Sequence, residues 1–313
     1  MDEVQRRARE HGPQQAVSFL EEAAERGDAE ASFILANWRL WGLYGPRDLT
    51  AMHRLLERAS AGGWREATRQ RAILIGNGTG CPADLTAARR IMETIAADDP
   101  NAAEQLQLLD SMPERVAAPL TVISEDPEIR TAAGFLSEAE CAYLRARAQP
   151  LLQPSMIIDD RTGRPRPHPF RTSMGMNFDP TQEDLVVHAI NRRIAALTGT
   201  DVRCGEPLHV LHYTGAQEFR PHLDAVPGAA NQRVLTVLVY LSDGYGGGET
   251  DFPELALTTK GRTGDALVFR NADATGQADP RAIHAGRPVS RGEKWLASRW
   301  IRQAPYEAEV LGR

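Results

Sequence analysis

His222 and Asp224 flank a single leucine, and His284 and Lys294 follow further along the chain. Two imidazoles and one carboxylate are the donor set that holds a ferrous ion on one face and leaves its other positions open. Residues i and i+2 of a strand face the same way, so one strand is expected to present both His222 and Asp224. His284 must then arrive from a second strand. Open metal positions matter because O2 and a second ligand both need a place. Lys294 supplies a cation for that second ligand. A buried ammonium needs a counter-charge, and the distal carboxylate of a keto acid such as 2-oxoglutarate provides one. Of the 36 basic residues only Lys260 and Lys294 are lysines. A chain that otherwise uses arginine and keeps lysine here points to a need for a compact ammonium rather than a planar fork.

These residues need rigid elements to hold them. Short strands are expected over Glu206–Tyr213, Val234–Leu241, Ala266–Arg270 and Lys294–Arg302, with a first strand at Leu120–Ile123. Lys294, Leu296, Ser298 and Trp300 share one face of the last strand, so the lysine and the tryptophan both point inward. Evenly spaced short strands imply a jelly roll. The run Gly246-Gly247-Gly248 lacks the Lys-Ser/Thr and the following helix of a phosphate cradle, and reads instead as a tight turn beside the cleft. Helices are expected at Ser137–Ala148 and Gln182–Thr198, opened by the capping boxes Ser137–Glu140 and Thr181–Asp184. Alternating prolines and charges between Ile158 and Arg171 argue for a solvated loop or a lid over a substrate cleft.

The first third repeats itself. Glu21, Ala23, Gly27 and Ala31 recur 36 positions on as Glu57, Ala59, Gly63 and Ala67, and Gly42, Pro46, Asp48 and Leu49 recur as Gly78, Pro82, Asp84 and Leu85. A partial third copy runs through Ile91, Glu93 and Ala103, with Asp99 in place of the glycine. A fixed period in the thirties signals stacked helical hairpins. Asp48 and Asp84 are the expected N-caps. Around Ser111–Pro127 the helical pattern stops at a proline-rich linker.

Composition narrows the classes. Hydrophobic content of 42% and charged content of 25% are ordinary for a globular protein, and 313 residues allow two domains. A net charge of −6 argues against a nucleic-acid surface. No apolar run reaches membrane-spanning length, and the first residues show no apolar h-region, so no secretory signal is expected. Three cysteines, at 81, 141 and 204, make neither a disulfide framework nor a zinc pattern, so a cytoplasmic location is expected.

Two resemblances sharpen this reading. Residues 14 to 109 resemble Sel1-like repeats, relatives of the tetratricopeptide family. The motifs Tyr213-x8-His222-x-Asp224, Gly247-Gly-Glu-Thr-Asp-Phe-Pro253, Gly264-Asp-Ala-Leu-Val-Phe269, His284-Ala-Gly-Arg-Pro-Val289 and Gly292-Glu-Lys-Trp295 resemble the catalytic domain of prolyl 4-hydroxylases, across residues 118 to 304. Arg171-Thr172-Ser173 matches an early motif of the same family. The expected architecture is therefore a multidomain α and β chain. Residues 1–112 would form an α-helical repeat solenoid, and residues 113–313 a double-stranded β-helix with flanking helices. The resemblance implies Fe(II) bound by His222, Asp224 and His284, with 2-oxoglutarate and O2 as co-substrates and ascorbate as an accessory. Lys294, Tyr213, Thr250 and Trp300 would form the 2-oxoglutarate pocket, and no catalytic residue is implied beyond the metal ligands. Glu206 and Arg233 fall where family members touch a peptide or protein substrate. Phe219 replaces a substrate-contacting tyrosine of the peptidyl enzymes.

The other histidines carry less. His11, His53, His168 and His188 are expected at the surface, and His209 and His212 in the core or behind the site. The favoured reading is hydroxylation of a C–H bond, on a prolyl residue of a peptide or protein recruited by the repeats, with release of succinate and CO2. The alternatives are hydroxylation of a free amino acid or small metabolite, and a non-catalytic repeat adaptor.

Overall fold

The computed structural model describes residues 6, 12–112, 119–158 and 165–306. The chain divides into two compact units. The first is built from residues up to Met112 together with Asp179–His188, and the second from the remaining described residues.

The first unit holds three successive helix pairs. Pro13–Glu25 and Ala29–Trp41 form the first, Leu49–Ala61 and Arg65–Asn77 the second, Leu85–Glu93 and Pro100–Ser111 the third. The helix starts Pro13, Leu49 and Leu85 reproduce the sequence period. Caps explain the boundaries. Asp28, Asp48 and Asp84 each accept the backbone N–H three residues on. Asp99, the departure from the repeat, is also a cap: it accepts from Asn101 and Ala102 and pairs with Arg69. Gly42 and Gly78 close their helices in the left-handed conformation that favours glycine. The apolar faces meet in a core around Leu20, Leu35, Leu40, Met52, Leu56 and Leu74.

In the second unit the strands are β1 (Leu120–Glu125), β2 (Glu128–Ala132), β3 (Gln153–Pro154), β4 (Met156–Ile158), β5 (Pro165–Pro167), β6 (Met174–Asn177), β7 (His209–Thr214) and β8 (Phe219–His222). They continue as β9 (Arg233–Tyr240), β10 (Gly246–Gly247), β11 (Thr250–Phe252), β12 (Leu257–Thr259), β13 (Ala266–Arg270), β14 (His284–Gly286), β15 (Val289–Arg291) and β16 (Glu293–Arg302). Eight form one sheet in the order β1-β2-β13-β9-β16-β7-β6-β3, and four form a second in the order β12-β11-β14-β8. Every pairing is antiparallel, which fits the expected sheet-rich C-terminal fold. The core includes Leu211, Leu238 and Leu296 from the large sheet and Phe252 from the small one.

Two local expectations change. The helix drawn over Gln182–Thr198 begins at Leu185, because Asp184 accepts the N–H groups of Val186 and Val187 and is itself the cap. The box at Ser137–Glu140 does form. Within the proline-rich stretch, Pro165–Pro167 is not loop but pairs with Met156–Ile158 as a two-stranded ribbon. A two-stranded ribbon tolerates proline because its outer edge needs no N–H donor. Residues 159–164 of that stretch lie outside the described residues, as does His11.

Candidate metal centre

β8 and β14 of the small sheet run side by side, with His222 directly opposite His284. Their rings lie 4.3 Å apart between centroids. Asp224 completes the group: one ligand atom from each residue lies within 4.8 Å of the others. His222 Nε2 is 3.5 Å from Asp224 Oδ1, and His284 Nε2 is 3.6 Å from Asp224 Oδ2. The route differs from the expected one. β8 ends at His222, and Asp224 sits in the bend beyond it rather than on the same strand. The bend turns its carboxylate inward, where Thr236 on β9 donates to Oδ2 at 2.6 Å.

Both imidazoles are set for ligation. His222 Nδ1 faces the Arg220 carbonyl at 2.8 Å, and His284 Nδ1 faces the Ala282 carbonyl at 3.1 Å. A carbonyl can only accept, so Nδ1 carries a proton in each ring and Nε2 is the nitrogen turned toward the site. Burial lowers the His284 imidazole to about 4, against the opposing pull of Asp224, so it is neutral at physiological pH. Burial pushes the Asp224 carboxyl up, but His284, His222 and Thr236 outweigh it and hold it well below the usual carboxylate range. Two imidazoles with Nε2 turned inward and an ionised carboxylate fit a divalent cation.

Lys294 projects from β16 into the same cavity, with 2% of its surface exposed. Its register partner is Tyr213, and Nζ stands 5.4 Å from that ring centroid. Nζ donates to the Gly248 carbonyl at 2.7 Å. Of the glycine run expected as a tight turn, Gly246 and Gly247 instead form β10 and pair with β15. Gly248 follows with φ 68, and among the described residues its carbonyl is the acceptor shown for this ammonium. Burial lowers Lys294 to about 8, with Glu249 opposing. Thr250, Leu296, Ser298 and Trp300 line the cavity too, and the Thr250 hydroxyl meets the Tyr240 hydroxyl at 3.3 Å. Lys294, Tyr213, Thr250 and Trp300 therefore come together around the cavity that holds the three ligands.

Glu206 does not join them. Arg233 binds its carboxylate through Nε and Nη2 at 2.6 and 2.8 Å, and Arg302 Nε adds a third bond at 2.6 Å. Glu206 is 6% exposed, so its acceptors are already engaged. Arg233 lies over the Trp300 ring at 3.9 Å and keeps a partly exposed guanidinium. The remaining histidines divide. His188 is buried against Glu183 rather than at the surface. His53 is half-buried with Nε2 on the Thr79 carbonyl. His168 packs against Phe219. His212 stacks on Trp295, and His209 is buried beside Trp300, where burial and then Arg171 and Arg233 lower it to about 3.

Arg171 and Ser298 line the cavity as well, and Thr236, Tyr240 and Asn271, to which the sequence alone assigns no role, stand beside it. One signal was available for two of them. On β9 the inward positions 236, 238 and 240 read Thr, Leu and Tyr, so two hydroxyls interrupt an apolar face.

Comparison with known proteins agrees with this geometry. Residues 208–302 match the family model of the 2OG-Fe(II) oxygenase superfamily. Prolyl 4-hydroxylase 1 of Arabidopsis thaliana is 38% identical over 201 residues, covering 58% of this chain and 71% of the relative. Prolyl 4-hydroxylase 5 of the same plant is 34% identical over 242 residues, covering 70% and 78%. Among solved structures, a viral collagen prolyl hydroxylase from Paramecium bursaria Chlorella virus 1, in complex with 2-oxoglutarate, is 29% identical and covers 56% of this chain and 96% of its own, with a TM-score of 0.46. The chain belongs to the prolyl 4-hydroxylase family of the 2OG-Fe(II) oxygenases. Such enzymes are 2-oxoglutarate-dependent dioxygenases that use Fe(II), 2-oxoglutarate and O2.

Proposed function

We propose that this chain hydroxylates a prolyl residue of a peptide or protein, consuming 2-oxoglutarate and O2 and releasing succinate and CO2. The observation that carries the reading is the placing of the His222, Asp224 and His284 cluster and the buried Lys294 ammonium on one cavity. His222, Asp224 and His284 would hold Fe(II). Bound iron supplies O2 activation coupled to oxidative decarboxylation of the keto acid, the hard step that no side chain provides. The chain's residues do the rest. Lys294 pairs with the distal carboxylate of 2-oxoglutarate, while Thr250 and Tyr213 line the end of the pocket where that carboxylate rests. Leu211, Leu238 and Leu296 keep the pocket apolar and exclude water. Glu206 orients Arg233 over Trp300 at the substrate side rather than touching substrate itself.

The relatives named as prolyl 4-hydroxylases support prolyl chemistry. A free amino acid or small metabolite is the second reading, and Phe219 favours it. This ring stacks on His222 with centroids 3.5 Å apart and offers no hydroxyl to a peptide. The helix pairs, read as Sel1-like repeats, would recruit the protein substrate, since repeated hairpins present an extended surface suited to partners. A reducing, cytoplasmic setting belongs to the proposal, supported by Cys81, Cys141 and Cys204 remaining free thiols. No helix among the described residues is long and apolar enough to cross a membrane.

The test is incubation with Fe(II), 2-oxoglutarate and proline-rich peptides, reading succinate and one added oxygen on proline. Succinate without peptide hydroxylation, but with hydroxylation of free proline, would transfer the assignment to the second reading. Neither product would refute both.

A further inference from the structure

Asp224 is held from behind by a chain of two buried polar side chains. The Thr236 hydroxyl contacts Asp224 Oδ2 at 2.6 Å, and the Asn271 side-chain amide contacts the Thr236 hydroxyl at 2.8 Å. Thr236 and Asn271 are both fully buried. The backbone fixes their places. Thr236 on β9 pairs with Phe269 on β13, and Asn271 follows β13 directly. The Asn271 N–H donates to the Val234 carbonyl, and its carbonyl accepts from Asp279 N–H, both at 2.9 Å.

The direction of each hydrogen follows from chemistry. An ionised carboxylate only accepts, so the Thr236 hydroxyl must donate to Asp224. A hydroxyl has one hydrogen, so its contact with Asn271 must be one in which the hydroxyl accepts. The amide nitrogen of Asn271, not its oxygen, therefore faces Thr236. The Asn271 Oδ1 finds no hydrogen-bond partner among the described residues, as expected if the amide orientation is set by this one bond. A buried unpaired acceptor is unfavourable, and valine would fill the Thr236 position on the apolar face of β9 without any polar group to satisfy. Packing alone does not account for the pair.

We propose that Asn271 and Thr236 are positioning residues of the metal centre. Asn271 locks the Thr236 hydroxyl, the hydroxyl occupies Asp224 Oδ2, and Oδ1 is left as the ligand oxygen. The inference rests on the reading of His222, Asp224 and His284 as metal ligands. Two consequences follow. Oδ1 would be the carboxylate oxygen left to hold the metal, since Oδ2 already accepts from Thr236. The loop carrying Asp224 is also held ready before metal arrives, because its end is tied to the large sheet.

Manganese(II) affinity of the whole chain, measured by calorimetry without 2-oxoglutarate, tests this apart from turnover. Thr236→Val should weaken binding by about 10- to 100-fold, the range found when a partner behind a metal ligand is lost. Thr236→Ser, which keeps the hydroxyl, should restore affinity to within about threefold of the original. Asn271→Leu should weaken binding by a smaller factor. The double variant Thr236→Val with Asn271→Leu should bind no more weakly than Thr236→Val alone, because Asn271 acts only through the hydroxyl. Thermal melts of the metal-free variants accompany each titration. A Thr236→Val protein that melts and binds manganese like the original overturns the inference, as does a double variant whose losses multiply. If Thr236→Val does not fold, Asn271→Leu decides the matter: unchanged affinity overturns the relay. Failure of the unmodified chain to bind manganese would instead overturn the metal-ligand reading itself.

Discussion

Lys294→Met should move two properties in opposite directions. In the native protein the ammonium is almost fully enclosed, and burial lowers it to about 8. Against an ordinary lysine value of about 10.5, and at about 1.4 kcal/mol per tenfold change in protonation, holding the cation buried at neutral pH costs about 3 kcal/mol. Methionine removes that penalty with nearly the same volume. It also leaves the Gly248 carbonyl without its donor, which costs about 1–3 kcal/mol. The net expectation without 2-oxoglutarate is a gain of about 1 kcal/mol, or a rise in melting temperature of roughly 2 °C for a chain of this size. With 2-oxoglutarate and manganese(II) the order reverses. Loss of a charge-assisted bond worth about 1.5–3 kcal/mol weakens co-substrate binding by about 10- to 150-fold. At a ligand concentration of about 100 times its dissociation constant, the native protein gains about 2.7 kcal/mol and the variant only about 0.3–1.4 kcal/mol. The assay is a pair of melting curves for each protein, with and without 2-oxoglutarate. A variant stabilised by 2-oxoglutarate as much as the native chain would refute the role of Lys294. A metal-free variant that melts several degrees lower would refute the burial penalty. The sign with pH follows from the same group. Its folded value lies below its unfolded value, so its destabilising effect is fully present below about 8 and fades as pH rises toward the unfolded value. Affinity for 2-oxoglutarate should therefore fall above about pH 8 while metal-free stability gains from this group.

Other outcomes follow from the site. His222→Ala should abolish stoichiometric iron binding and succinate production together, read by metal analysis and a succinate assay; unchanged metal content would contradict the ligand assignment. Glu206→Ala should destabilise the chain by about 3–5 kcal/mol in chemical denaturation, because Arg233 and Arg302 lose their shared buried carboxylate. An effect on substrate affinity alone, with stability intact, would place Glu206 at the substrate instead. Leu56→Ala in the helical unit should cost about 2–5 kcal/mol of stability by opening a cavity at a fully buried position. If the repeats recruit substrate, that variant should raise KM for a protein target while 2-oxoglutarate turnover without target stays unchanged at a temperature where the sheet unit is folded.

Much of the site was legible because its residues sit where strand periodicity makes them speak. Lys294, Leu296, Ser298 and Trp300 alternate along β16, and the structure turns all four toward one cavity. The helix pairs were legible because period and caps coincide at Asp48 and Asp84. What stayed hidden depends on contacts between distant residues. Nothing local to Asn271 reveals that its amide meets Thr236, since the pairing of β9 with β13 sets that meeting. Nor does the sequence near Glu206 reveal that Arg233 and Arg302 both bind its carboxylate, a meeting set by strand pairing. The strand expected to present His222 and Asp224 together stops early, because the carboxylate is drawn inward to Thr236. The expected helix start moved for a simpler reason: Thr181 donates its hydroxyl to Asp179, while Asp184 accepts the N–H groups of Val186 and Val187.

The most direct test of the central claim is a single reaction of the iron-loaded chain with 2-oxoglutarate, O2 and a proline-rich peptide, run beside Asp224→Ala. Succinate and oxygenated proline should form in equal amounts with the native chain, and neither should form with the variant. Oxygenated proline from the variant at the native rate, or none from an iron-loaded native chain that releases succinate, would contradict the account.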